Sequence, residues 1–197
     1  MKALVLCLAT FSSLAFADSA SNFVQDSLTQ GQQILSLKST SARNEQLCTL
    51  VARVIDAKYI GSALLGQYDG LSTDKTGVDL FYKEMPSMAV TEIVKKIGDA
   101  SGSSVTVSSD STDRGDGTYS VDVTLTTSDG SSYDASIILD IIGKEFHLID
   151  GTYFGVSGIN YMAGQVQKQI GQSSDQTHPV SEYMKSQMAD ASYIECN

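Results

Sequence analysis

The chain has 197 residues, with 13 Lys and Arg against 23 Asp and Glu and a formal net charge of −10. That balance excludes nucleic acid as a partner, because phosphate neutralisation needs cationic side chains in excess. It also repels a bare anionic membrane surface, and the length suits one domain with a sizeable core.

The first predicted element is a leader. MKALVLCLATFSSLAFA has one basic residue, Lys2, then an apolar run from Ala3 to Phe16, ending in the small-x-small pattern Ala15-Phe16-Ala17. The run is too short to span a bilayer and reads as a secretory signal peptide over residues 1–17, leaving 18–197 as the mature chain. Export leads to an oxidising compartment. Once Cys7 leaves with the leader, Cys48 and Cys196 are an even pair and a candidate disulfide. The alternative is two free thiols, one on a helix and one in a frayed tail. Two cysteines and two distant histidines give no metal-ligand spacing, and no cofactor is expected.

Helices come next. From Asp18 to Leu37, Val24, Leu28 and Leu35 share a face with Phe23 and Ile34 on its flank. STSARNEQ at 39–46 supplies hydroxyl caps for a second helix striped by Leu47, Leu50, Val51 and Val54. Asp56 caps a third, carrying Ile60, Leu64 and Leu65 and stopped by Gly66. Ser72 opens a fourth with Val78, Phe81, Tyr82 and Met85, kinked at Pro86 and continuing through Ile93 and Ile97 to Gly98.

Beyond Gly98 the apolar period changes from helical to alternating. A strand starts at VTV, 105–107, and TYSVDVTLT at 118–126 sets Tyr119, Val121, Val123 and Leu125 on one face. After the turn signal Ser128-Asp129-Gly130, Tyr133, Ala135, Ile137, Leu139 and Ile141 repeat the spacing. The stretch FHLIDGTYFGVSGI at 146–159 is strand-like but interrupted by Asp150, Gly151, Gly155 and Gly158, which thin the wall it would form. These segments predict an antiparallel meander of about four strands. Ser157 then caps a helix striped by Ile159, Met162, Val166 and Ile170, residues 171–179 form a loop, and Ser181–Ile194 form a last helix with Met184 and Met188 facing inward.

Catalytic chemistry is thinly supplied. His147 and Asp150, three apart on a strand, should point to opposite faces. GVSG at 155–158 matches a nucleophile elbow only in part, since Ile159 stands at its last glycine. DSTDRGDG at 110–117 puts Thr112 and Arg114 at calcium-ligand positions and reads as a hairpin turn. His178 has no evident partner.

HLIDGTYFGVSGI resembles the signature stretch of the MlaC family, the toluene-tolerance auxiliary components of lipid ABC transporters. That family reads Trp-x-Ile-x-Asp-Val-x-x-x-Gly-Val-Ser before entering a helix. Phe146 stands at the Trp, Leu148 at the Ile, Asp150 at the Asp, and Gly155, Val156 and Ser157 close the pattern. VARVIDAKYIGSALLGQY at 51–68 is similar to a second family segment through Asp56, Leu65, Gly66 and Tyr68. Gly151, Phe154 and the absence of any Trp depart from the pattern.

The resemblance implies a single α+β domain in which N-terminal helices pack on a curved antiparallel meander, with C-terminal helices, around an apolar pocket. It implies a periplasmic phospholipid carrier, not an enzyme, that passes lipid between an outer-membrane lipoprotein–porin complex and an inner-membrane ABC transporter complex without inserting stably in a membrane. Val121, Val123, Leu125, Ile137, Leu139, Phe146 and Leu148 are the expected sheet wall. Leu64, Leu65, Phe81, Tyr82, Met85, Ile159 and Met162 are the expected helical wall, with Val156 in the signature itself. Asp56, Gly66, Asp150, Gly155 and Ser157 are expected as structural positions. The alternative is a secreted cone-shaped α+β enzyme or small-molecule binder.

Overall fold

Carboxylate, hydroxyl and glycine positions fix where the helices begin and end. The computed structural model describes residues 11–97 and 103–196. The first ten residues of the expected leader lie outside these, and α1 (Phe11–Leu35) begins within its remainder. Ser39 caps α2 (Thr40–Val54), accepting from the Ala42 N–H. Asp56 caps α3 (Ala57–Leu65), its Oδ1 accepting the N–H groups of Lys58 and Tyr59 at 2.9 Å each. Gly66 ends α3 at φ +52°, where a Cβ would run into the Gln167 side chain.

The fourth helix, α4 (Lys75–Ile97), starts three residues later than the hydroxyl at Ser72 suggests. The capping group is Asp74, 1% exposed, whose Oδ1 accepts the Gly77 N–H at 3.1 Å. The same carboxylate accepts the Ser181 N–H at 2.8 Å and hydroxyl at 2.5 Å, tying α4 to the chain's last helix. α4 runs through Pro86 as one element.

The sheet has five antiparallel strands in sequence order, one more than expected: β1 (Ser104–Asp113), β2 (Tyr119–Thr126), β3 (Ser132–Ile142), β4 (Glu145–Tyr153) and β5 (Val156–Ser157). β1 extends through residues that read as a turn, because Ser108–Asp110 bulge opposite Asp122 and pairing resumes at Ser111. The actual turn is Arg114–Thr118, with Gly115 and Gly117 at positive φ. Its carboxylates are occupied by the turn itself: Asp113 accepts the Gly115 N–H and Asp116 the Thr118 N–H. Among the described residues no set of His, Cys, Asp or Glu side chains is grouped to hold a metal ion.

A second bulge shapes β4. Ile138 pairs with Asp150 and Leu139 with Leu148, leaving Ile149 as an extra residue. The outer edge of β4 is partly covered at this point: Ile55 bridges Leu148, whose carbonyl accepts the Asp56 N–H at 3.0 Å.

Ser157 caps α5 (Gly158–Gly171), accepting the Asn160 N–H at 3.1 Å. The loop that follows is not a loose tether, because Glu182 draws it in. That carboxylate accepts the Ser173 hydroxyl, the Ser174 hydroxyl at 2.7 Å and the Asp175 N–H at 2.8 Å, and these bonds pull its pKa down to about 2. The last helix, α6 (Pro179–Met188), starts earlier and stops sooner than the expected Ser181–Ile194. Pro179 presets its first turn, and Asp190 turns the chain out by accepting the Ser192 N–H at 2.8 Å.

The tail beyond Asp190 turns, the Tyr193 N–H donating to the Asp190 carbonyl at 2.9 Å, and then docks on α4. Tyr193 donates its hydroxyl to Glu84 at 2.8 Å, and the Ile194 N–H donates to Thr91 Oγ1 at 2.9 Å. The Cys196 N–H donates to Ser87 Oγ at 3.0 Å, and Cys196 is disulfide-bonded to Cys48 of α2 with Cα atoms 5.4 Å apart. Burial pushes Glu84 up, but its bonds from Tyr193, Ser87 and Lys83 outweigh that and hold it below the ordinary carboxylate range. Tyr193 rises to about 12, through burial and its bond to Glu84.

Three apolar clusters result. One joins α3, α4, α5 and α6 around Phe81, Leu65 and Met184. A second joins α1 to the sheet through Ala20, Val24, Val121, Leu139 and Phe146. The third is helical, around Leu47, Val51 and Val90.

Candidate functional site

One sheet face carries the apolar side chains, as strand registers set them. Val121 and Val123 of β2 lie beside Ile137 and Ala135 of β3, and Leu139 lies beside Leu148 of β4. α1 covers the β1 and β2 part of this face. Next to Ile137 on β4 comes Gly151, and a Cβ built there would find only Ile137 Cδ1 and the Ser136 carbonyl, both 4.0 Å away. The position is open to the extent that a Cβ would fit without a close contact. The apolar wall is thinned there without the backbone requiring it.

The expected wall residues fall mainly into two apolar clusters. Leu64, Leu65, Phe81, Met85 and Ile159 are buried in the cluster among α3, α4, α5 and α6, with Tyr82 partly buried against it. Val121, Val123, Leu139 and Phe146 are buried in the cluster under α1, with Ile137 partly buried against it. Leu148 packs on both clusters and is the seam between them. Leu125 is half-buried beyond them. Val156 and Met162 instead face solvent, 62% and 47% exposed, because the β4–β5 hairpin carries the first outward and the outer surface of α5 the second.

Asp150 holds the seam together. Its Oδ1 accepts the Gly151 N–H at 2.7 Å and the Ile159 N–H at 2.9 Å, so it caps the first turn of α5 alongside Ser157. The bulge that makes room is at Ile149, before the aspartate, and not at the glycine after it. Gly158 fits closely against β4, since a Cβ there would sit 2.9 Å from the Gly151 carbonyl.

The same bulge corrects the facing of His147. Because Ile149 adds one residue, His147 and Asp150 fall on one face with their partners Asp140 and Ile138, not on opposite faces. Asp140 Oδ1 and His147 Nδ1 are both buried without a hydrogen-bond partner. Burial, then the charge of Asp56, raise the Asp140 carboxyl, and His147 partly offsets this. The two side chains face each other across the register without the hydrogen bond a general-base pair requires.

Two clefts lie elsewhere. One, of about 690 Å³, runs between α2 and the docked tail and is bordered by Asn44, Cys48, Pro86 and Cys196. The other, of about 320 Å³, lies between α1 and β1. Among the described residues no helix is long and apolar enough to cross a membrane.

The polar stripe Glu84, Ser87 and Thr91 on α4, buried under the tail, carried no expectation from sequence. Its spacing resembles a solvated helix face, and only its reach to Tyr193, Ile194 and Cys196 reveals its use.

No protein-family model matches the chain, and no curated protein matches it. Among solved structures, the fold is similar to that of a phospholipid-binding protein from Ralstonia solanacearum in complex with a phospholipid. The TM-score is 0.63 at 11% identity, covering 85% of this chain and 95% of that one. At that identity the likeness is one of fold.

Proposed function

We propose that the chain is an exported phospholipid carrier of the MlaC type, its residues 1–17 a leader removed on export. The observation that carries the reading is the shared fold with a phospholipid-binding protein in complex with a phospholipid. The Asp150 to Ser157 signature falls where that fold joins sheet to helix. In this reading the acyl chains enter at the Leu148 seam. Parting the helical cluster from the sheet there exposes apolar wall on both sides, with Gly151 leaving room beside Ile137.

Energetics favour handover over release. Each buried CH₂ contributes about 0.8 kcal/mol, so two chains of roughly fifteen CH₂ give an upper bound of ~24 kcal/mol, beyond ordinary reversible affinity. Lipid therefore leaves onto an acceptor, and the acceptors proposed are an outer-membrane lipoprotein–porin complex and an inner-membrane ABC transporter. The place of work is the periplasm.

Native mass spectrometry of protein purified without detergent tests the reading. A mass increment that organic extraction removes and that matches a phospholipid is expected. Leu148→Asp, which places a charge on the seam, should abolish it. Protein that emerges lipid-free and takes none up from vesicles would overturn the proposal.

A further inference from the structure

Residues 151–167, GTYFGVSGINYMAGQVQ, contain no charged side chain in a chain with 23 acidic and 13 basic ones. They form the end of β4, the hairpin to β5 and most of α5. This neutral segment displays large side chains: Phe154 is 75% exposed, Tyr161 66% and Val156 62%, with Tyr153 and Met162 exposed beside them. The rings are organised. Tyr133 meets Tyr153 at 6.0 Å between centroids, and Tyr153 meets Phe154 at 4.4 Å.

Backbone geometry holds the tip outward. Tyr153 pairs with Val156, leaving a two-residue loop, Phe154–Gly155, with φ of +50° and +75°. Positive φ at both central residues is what a type I′ hairpin turn requires, and Asn-Gly is its favoured sequence. Phenylalanine is a poor residue for the first position, since a bulky side chain rarely adopts positive φ. A strained and exposed aromatic at the apex is a reason to look for function.

We propose that this hairpin tip, with Tyr161 and Met162 of α5, docks reversibly into the interface of a zwitterionic bilayer. Chemistry favours that occupant. Tyrosine rings present an apolar body and a polar tip suited to the headgroup boundary, and Phe154, Val156 and Met162 add purely apolar surface. The patch has no charge to pair, and the acidic remainder of the chain repels anionic lipid, so neutral headgroups are selected. A second protein is a poorer fit. A stable protein interface draws on about 20–30 residues a side, whereas this patch has six large side chains, and β5, two residues long, gives little edge for strand pairing. The docking does not rest on lipid carriage.

Flotation with phosphatidylcholine vesicles tests it, using wild type and Phe154→Asn, which differ at one residue. Wild type should co-float with these vesicles and less so with phosphatidylglycerol vesicles at low salt. Phe154→Asn should melt at or above the wild-type temperature, because Asn suits the turn, yet bind about tenfold or more weakly through loss of one buried aromatic. If it melts lower, Met162→Gln on the helix surface makes the same comparison. Wild type that stays unbound, stronger binding to phosphatidylglycerol, or equal flotation of a folded Phe154→Asn would each overturn the inference. Concentration-dependent dimerisation without flotation, abolished by Phe154→Asn, would also overturn it and assign the patch to a second copy. Native mass spectrometry reads carriage separately, so a lipid-free chain that still floats leaves the inference standing.

Discussion

Removing the Cys48–Cys196 bond should lower stability chiefly through the unfolded chain. The bond joins residues separated by 148 positions, and in the chain-entropy model a loop of that length corresponds to about 5 kcal/mol at 25 °C. On the folded side little changes, because Tyr193, Ile194 and Cys196 keep their hydrogen bonds to Glu84, Thr91 and Ser87. Cys48→Ser/Cys196→Ser should therefore keep the native fold while losing about 2–5 kcal/mol, the usual span for a native disulfide. Urea titration followed by circular dichroism measures this. The m-value should rise as well, since an uncrosslinked unfolded chain exposes more surface. Wild type under reducing conditions should coincide with the double variant. A loss below about 0.5 kcal/mol, within the scatter of ordinary surface substitutions, would refute the reasoning. So would alkylation of both Cys48 and Cys196 in unreduced, denatured protein, located by peptide mass.

Asp150→Ala leaves the Gly151 and Ile159 N–H groups without their acceptor and should cost about 1–3 kcal/mol, read by thermal melting; a variant as stable as wild type would remove Asp150 from its capping role. The Asp140 carboxyl is raised in the folded state by burial and by Asp56, so its favourable contribution is present below the unfolded pKa and lost as pH rises through the folded value. Asp140→Asn should accordingly match wild type near pH 3 and melt higher at pH 7, and the reverse order would contradict the assigned cause. Gly77→Ala gains helix propensity but drives its Cβ into the Ser181 N–H and the Asp74 carboxylate; overpacking of about 1–3 kcal/mol should win, and an increase in melting temperature would show that α6 gives way.

Much of the fold is legible because local chemistry determines it. Ser39, Asp56 and Ser157 are capping residues in sequence and in space, since an N-cap depends only on its next three residues. Alternation in β2 and β3 likewise assigns their faces without tertiary information. The helix expected to Ile194 fails because Met184 and Met188 continue a helical period while Asp190 and the docked tail end it. The site was less legible. Which face each apolar residue occupies follows from spacing, but whether Leu64 and Val121 share one cavity or two clusters depends on how α2, α3 and α5 meet β4. The bulge falls at Ile149, a β-branched residue that suits a regular strand, and not at the interrupting Asp150 and Gly151 that follow, so His147 is placed on the wrong side by any argument from spacing.

That bulge gives β4 two reading frames. Phe146 and Leu148 face the apolar side at even numbers, Gly151 and Tyr153 at odd ones, and the change of parity occurs within one residue. Adjacent positions can thus serve opposite needs: a carboxylate that must reach backbone donors and a vacancy that must stay apolar. A strand of uniform parity that kept the Phe146 and Leu148 frame would turn Asp150 into the apolar side and move the vacancy to the polar side. Deleting Ile149 would not do this: Leu148 and Asp150 would become consecutive opposite Leu139 and Ile138, a regular strand with both faces unchanged. Such a deletion should therefore be less damaging than a one-residue slip of β4 against β3, which exchanges the faces of every residue that slips.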